Sequence, residues 1–159
     1  MSEFKEQKWR WDRKKLIKKE WICDKVTQDT IKFAEEFGGY LAKQEKEVKN
    51  DQKKTDITGL EVKTSQLRKF FGEVKRQQIT PYNESSFIML KPKLAYAVGR
   101  ARKDCKNNQY CKIEDLFIII SNAIDIVVDA PEPIKAFKNF IDIFEAIVAY
   151  HKASVIKDN

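Results

Sequence analysis

The sequence predicts an all-α protein, a compact bundle of about five helices with a basic N-terminal extension. Apolar residues recur at intervals of three and four along most of the chain, the spacing that gives a helix one apolar face. Five Gly and four Pro in 159 residues are too few for a turn-rich β protein. Hydrophobic residues make up 42% of the chain, enough for a core, and the length predicts a single helical domain over residues 1–159.

The N-terminal segment, residues 1–25, is basic and carries Trp9, Trp11 and Trp21. Two interpretations stay open for it. It is either a frayed first helix that docks its indoles on the bundle, or a surface that lies on a membrane or stacks on bases. Interspersed acids such as Asp12 weaken the membrane interpretation. Since neither a signal peptide nor a transmembrane stretch is visible, we expect a cytoplasmic protein.

The first long helix is predicted to begin at Thr27, whose hydroxyl suits an N-cap. Gly38 and Gly39 either weaken its middle, at roughly 1 kcal/mol each against Ala, or mark a close contact with another helix. Residues 43–58 have almost no apolar side chains, and residues 43–62 are predicted to form a polar loop.

The next two helices are predicted over residues 64–79 and from about residue 86 to residue 104. Thr64 or Ser65 can cap the first of them. Pro92 falls inside the second, so the helix either starts near it, with Pro in the first turn, or kinks there.

The last two helices are the most apolar. Residues 112–129 are rich in β-branched side chains, but their length and period favour a helix over a strand. After the breaker "APEP", residues 134–148 are predicted to form a strongly amphipathic helix.

Charge is segregated along the chain, whose formal net charge is +7. Residues 63–77 hold five basic residues and one acid, and residues 91–112 hold seven and one. Residues 113–151 hold two basic residues and seven acids. Two cationic helices on one side of a bundle predict a surface that follows the backbone of a polyanion.

No catalytic motif, metal site or cofactor site is visible in the sequence. His151 is expected to pack or cap the last helix, and an enzyme built around it is only a minor alternative. The three cysteines, Cys23, Cys105 and Cys111, form no C-x-x-C pair. With one His in the chain, too few ligands are available for a zinc site. Free thiols in a reducing cytosol are expected, the alternative being a bridge between Cys105 and Cys111.

Three stretches resemble blocks of one known family. "KTSQLRKFF" is similar to the T-T-S-Q-I-R-K motif of the small helical subunit of type III-A (Csm) CRISPR effector complexes. "LKPKLAYAVGR" resembles that family's second block, and "FKNFIDIFEAIVAYHK" its C-terminal block. The three appear in the family's order and cover about 36 of the 159 residues. Lys63, where the family usually has Thr, and the long Trp-bearing N-terminus depart from its pattern.

The resemblance implies a non-catalytic RNA-binding structural subunit of an antiviral interference complex. Several copies would stack along the guide and target RNA duplex and contact its backbone, beside other subunits of the complex and without a membrane partner. Carried over from the family's motifs, the expected RNA-binding residues are Thr64, Ser65, Arg68, Lys69 and Arg100. Position and charge alone add Lys63, Lys91, Lys93 and Arg102.

The crowding of Lys63, Arg68 and Lys69 at a helix start agrees with this implication. Cations there oppose the helix dipole, but a bound phosphate would reverse the balance, because exposed NH groups and the dipole both favour an anion. The alternative function is a basic helical protein that acts at a membrane surface, or as a partner-helix adaptor, through its Trp-rich N-terminus.

Overall fold

The computed structural model describes residues 8–49 and 54–158. Residues 1–7 of the predicted N-terminal segment and residues 50–53 of the predicted polar loop lie outside the described residues. In chain order the elements are α1 (Lys19–Cys23), α2 (Gln28–Ala42), β1 (Glu45–Lys49), β2 (Lys54–Leu60), α3 (Thr64–Arg76), α4 (Glu84–Ile88), α5 (Leu90–Ala101), a 3-10 turn (Arg102–Asp104), β3 (Tyr110–Cys111), α6 (Ile113–Asp129) and α7 (Pro133–Asp158).

Helix α7 is the central element, with α1, α2, α3 and α6 packed against it. Its inward face carries Phe140, Phe144 and Ile147, all fully buried. Helix α2 approaches α7 so closely at Gly38 that a Cβ there would lie 2.7 Å from the carbonyl oxygen of Ile147. Real Cβ contacts are not that short, so the spacing of the two helices requires glycine. The close helix contact is confirmed for Gly38. At Gly39 a Cβ would meet only Ser154 Oγ at 3.5 Å, an ordinary contact, so the interpretation of a weakened helix stays open there.

The helical part of the prediction is confirmed, except that one helix has a different cap and another is divided in two. Thr27 caps α2 as expected, its hydroxyl accepting from the backbone N–H of Thr30. Helix α3 is capped at Lys63, so the prediction of a Thr64 or Ser65 cap is wrong. The side-chain oxygen of Gln66 accepts the backbone N–H of Lys63 at 3.0 Å, which fixes the first turn one residue earlier than a hydroxyl cap would.

The predicted helix over residues 86–104 consists of two helices. Short α4 ends at Ile88 and α5 begins at Leu90, with Pro92 in the first turn of α5, where its missing N–H has no helical acceptor to lose. Residues 113–129 form a helix, as their period predicted, despite the β-branched composition.

The fold is not strictly all-α, because residues 43–62 contain strands instead of the predicted loop. β1 and β2 form an antiparallel pair with a bulge between Glu45 and Lys46, and β3 adds in parallel to the end of β2. Gly59 of β2 lies beneath the indole of Trp9, whose ring atoms would be 2.6 Å from a Cβ. The hairpin thus depends on contacts from distant parts of the chain, which a local polar composition does not reveal.

The described part of the N-terminal segment turns its indoles inward. Trp21 is buried, and the ring of Trp11 packs against Phe33, Phe37 and Tyr40 with centroid distances of 4.8 to 5.6 Å. This arrangement favours the docked interpretation over a membrane-facing one. In residues 8–49 and 54–158, no helix is long and apolar enough to cross a bilayer.

Two cysteines differ from the expectation of free thiols. Cys105 and Cys111 are joined by a disulfide, their Cα atoms 6.0 Å apart, so the alternative of a short bridged loop is the correct one. The loop between the 3-10 turn and β3 folds back far enough to bring the two side chains together. Cys23 is free.

His151 packs in the core, as expected. It is 1% exposed, and its Nε2 lies 2.7 Å from the carbonyl oxygen of Val62. A carbonyl only accepts, so Nε2 carries the proton. The N–H of Val62 donates to the carbonyl of Leu41 at 2.8 Å, so Val62 is held by α2 and α7 together. These two bonds place the start of α3.

His151 predicts a pH dependence of stability. Burial lowers its pKa in the folded state, although the Val62 carbonyl opposes the shift. The unfolded chain therefore binds the proton more tightly, and stability present above pH 6.5 is lost as the pH falls below that value, at up to about 1.4 kcal/mol per pH unit. Urea unfolding from pH 7.5 to 5 measures the slope. Subtracting the same series for His151→Gln removes the contributions of carboxyl groups, and equal slopes in the two proteins would contradict the assignment.

Candidate nucleic-acid interface

A groove of about 950 Å³ runs between α3 and α5. Phe70, Ala97 and Ala101 supply apolar lining, and the small alanines leave space between the two helices. Five cationic side chains and two carboxylates also line it, so the groove has a net positive charge. The charged lining residues are Lys69, Glu73, Arg76, Lys93, Arg100, Lys103 and Asp104.

Four of the predicted RNA-binding residues line this groove. Ser65 and Lys69 come from α3, and Lys93 and Arg100 from α5. They belong to two sequence blocks about 25 residues apart, which only the packing of α3 on α5 brings together. Lys69 and Arg100 are exposed, so both are accessible to an anion in the groove.

The remaining predicted residues do not line the groove: Lys63, Thr64, Arg68, Lys91 and Arg102. Lys91 Nζ is 2.6 Å from Asp125 Oδ1, and Arg102 Nε is 2.7 Å from Glu114 Oε1. Both partners lie on α6.

These ion pairs modify the charge segregation that the sequence suggests. Some cations of α5 and its C-terminal turn are partly neutralised by the acidic helix α6. Within the groove, Lys93 Nζ lies 3.3 Å from Glu73, and Arg76 Nη1 lies 2.8 Å from the same carboxylate. Lys63, at the start of α3, is 3.6 Å from Asp104. No ion pair within 4.0 Å is found for Lys69 or Arg100 in the part of the chain that the structure describes.

Sequence reasoning missed several groove residues, above all the cations Arg76 and Lys103 and the aromatic Tyr96. A signal for them exists. On α3, Lys69 and Arg76 are two turns apart, and on α5, Tyr96 and Arg100 are one turn apart, so each pair lies on one helix face. Sorting residues by helix face groups Arg76 with Lys69 and Tyr96 with Arg100, but which face lines the groove is decided by the packing of α3 on α5.

A second polar cluster joins α2, β1, β3 and the start of α6, and its buried members are Lys112 and Asp115. We call it the buried charge cluster: Tyr40, Glu45, Tyr110, Lys112 and Asp115. Lys112 is fully buried, and its Nζ donates to Glu45 Oε1 at 3.0 Å and to the backbone carbonyls of Tyr40 and Lys43 at 2.8 and 2.6 Å. Asp115 accepts from the hydroxyls of Tyr40 and Tyr110 at 2.6 and 2.8 Å.

Burial dominates the electrostatics of this cluster. It lowers the pKa of Lys112, against the opposing effect of Glu45. It also raises the pKa of Asp115, against the hydrogen bonds from the two tyrosines. Each charge is satisfied by partners from other elements, so the cluster joins α2, β1, β3 and α6. The sequence showed Lys112 only as one of seven cations in a basic stretch.

Among the described residues, no group of three or more His, Cys, Asp or Glu side chains could hold a metal ion. The fold and the groove define a helical module with a cationic surface groove between two of its helices. The family model Csm2 Type III-A matches residues 46–156. The chain therefore belongs to the Csm2 Type III-A family, a family of structural subunits of type III-A CRISPR complexes. No match to the chain was found among the curated proteins or among the solved structures.

Proposed function

We propose that this chain is a non-catalytic RNA-binding subunit of a cytoplasmic type III-A CRISPR interference complex. In this proposal several copies stack along the duplex of guide and target RNA, together with other subunits of the complex and without a membrane partner. Each copy contacts the RNA backbone, and affinity accumulates along the array. Family membership supports the assignment to the complex, and the cationic groove supports the assignment of RNA contacts.

The observation that carries the proposal is the meeting of Lys69 and Arg100 in one groove. They come from the two sequence blocks in which the family resemblance places nucleic-acid contacts, and both are exposed. A guanidinium and an ammonium on facing helices can hold phosphates in series without reading bases. A subunit that serves different guides requires such sequence-independent contacts.

The other predicted contacts have a secondary place in this proposal. Thr64 and Arg68 lie at the start of α3, where a phosphate would meet free backbone N–H groups, and Lys63 lies beside them. Lys91 and Arg102 would first have to leave Asp125 and Glu114. We therefore assign the phosphate contacts primarily to the groove.

Replacing Lys69 and Arg100 together by Ala is expected to weaken binding of single-stranded RNA about tenfold or more. The slope of log K against log salt should become shallower by about 1.4, or about 0.7 for each phosphate that the variant no longer neutralises. Fluorescence anisotropy of a labelled RNA, titrated with the full-length chain across a salt series, measures both quantities.

The matched control is the double variant Lys91→Ala and Arg102→Ala, which removes the same charge outside the groove. It should change affinity less than threefold, on the order of the general loss of positive potential. Thermal unfolding checks that both variants fold. Equal losses in the two doubles would mean that net charge, and not the groove, determines binding, and no loss in either would reject the assigned surface.

A further inference from the structure

The groove contains an aromatic side chain that phosphate binding does not need. Tyr96 is 69% exposed, and among the described residues it is the only aromatic side chain that is largely exposed. The other aromatic rings of the described chain are buried or half-buried. A single exposed apolar residue is ordinary, but this one lines a cationic groove.

The surroundings of Tyr96 suit a flat, partly apolar ligand. Arg100, one helical turn further along α5, places its guanidinium carbon 5.9 Å from the ring centroid, within the range of a cation–π contact. Met89 is 54% exposed, and it lines the same groove together with Pro92. Lys69 lines the groove from the facing helix α3. Stacking surface and phosphate-binding charge therefore occur side by side.

We propose that Tyr96 is a stacking platform for an unpaired base of single-stranded RNA. This inference rests on the proposed function, because the phosphates held by Lys69 and Arg100 would bring the base to the ring. Aromatic side chains stack on any base, since every base has a π face. The contact would add affinity without adding sequence preference.

The chemistry selects unpaired RNA over duplex. In an A-form helix the base faces are covered by their neighbours, and only bases in loops, bulges, gaps or single strands can be stacked on a protein ring. An intact duplex would therefore make the phosphate contacts of the groove, and none of its bases would stack on Tyr96. A base displaced from the duplex, or a strand that has not yet paired, would use both.

The test compares two RNA strands that carry the same phosphates. One is an oligouridylate of about ten nucleotides, within the usual site size for such grooves, and the other is an abasic ribose-phosphate strand of equal length. The full-length chain is expected to bind the uridylate about tenfold more tightly than the abasic strand. Tyr96→Ala should abolish this preference, and Tyr96→Phe should retain it, because phenylalanine keeps the ring.

The control variant is Lys69→Ala, which removes a phosphate contact. It should lower the affinity for both strands by the same factor. Persistence of the uridylate preference in Tyr96→Ala would overturn the stacking proposal while the phosphate groove stands. Failure of the wild-type chain to bind either strand at low salt would overturn the proposed function itself, and this inference with it. If Tyr96→Ala leaves both RNA affinities unchanged but lowers incorporation into the CRISPR complex, the ring is a protein contact and the proposal is wrong.

Discussion

Lys112→Met is expected to lower the free energy of unfolding by about 3 to 5 kcal/mol, the usual effect of removing one partner from a buried ion pair. Methionine fills a similar volume but donates no hydrogen bond. The Glu45 carboxylate and the carbonyls of Tyr40 and Lys43 would then lose the ammonium that satisfies them, and unsatisfied buried acceptors are costly. Urea unfolding followed by circular dichroism measures the loss.

A matched control for this experiment is Lys106→Met, in the exposed loop that follows the 3-10 turn. The same substitution there should change stability by less than about 0.5 kcal/mol. Glu45→Gln combined with Lys112→Met should lose less than the sum of the single changes, because the orphaned charge is removed together with its partner. If Lys112→Met lowers the free energy of unfolding by less than about 1 kcal/mol, the cluster does not stabilise the contact between these elements.

Gly38→Ala is expected to lower the free energy of unfolding by about 2 kcal/mol, within the range for overpacked sites. The new methyl group would lie 2.7 Å from the Ile147 carbonyl oxygen and 2.9 Å from the backbone nitrogen of His151. Both are main-chain atoms of α7 and cannot rotate away as a side chain can. The helices must therefore separate, which weakens packing along their whole contact, and thermal or urea unfolding measures the loss.

Gly39→Ala is the neighbouring control with the opposite expected sign. The nearest atom to a Cβ at this position is Ser154 Oγ at 3.5 Å, an ordinary contact. Alanine gains about 1 kcal/mol of helix propensity over glycine, so stability should rise by up to that amount. If both variants are stabilised, α2 and α7 are not as close as described, and if both are destabilised by the same amount, the effect does not come from the α7 backbone.

The residues outside the family match contribute to the same core as those inside it. The match covers residues 46–156, yet Phe37 and Leu41 of α2 are fully buried. The buried charge cluster links the two parts directly, since Lys112 lies inside the matched range and its acceptors at Tyr40 and Glu45 lie before it. The Trp-bearing N-terminal segment departs from the family pattern, but it also packs on the matched part of the chain, because Trp9 lies over Gly59 of the hairpin.

Local pattern and tertiary context contributed differently to what could be predicted. Helices α2, α3, α6 and α7 follow from apolar spacing because that spacing is a property of consecutive residues. The hairpin was missed because its strands are polar, and the contacts that support them come from Trp9 and Tyr110. In the groove, Lys69 and Arg100 were found through motif resemblance, whereas Tyr96 requires knowing which face of α5 meets α3.

By itself, the sequence determined that the chain is a helical protein with two cationic stretches, followed by two strongly apolar C-terminal helices. Composition and periodicity suffice for this because they act over one or two helical turns. Only the tertiary structure decided which cations face the groove and which are paired with acids of α6. It alone decided that Lys112 is buried and that Cys105 meets Cys111. These outcomes depend on distances between residues far apart in the chain. Tertiary packing sets those distances, and the order of neighbouring residues does not.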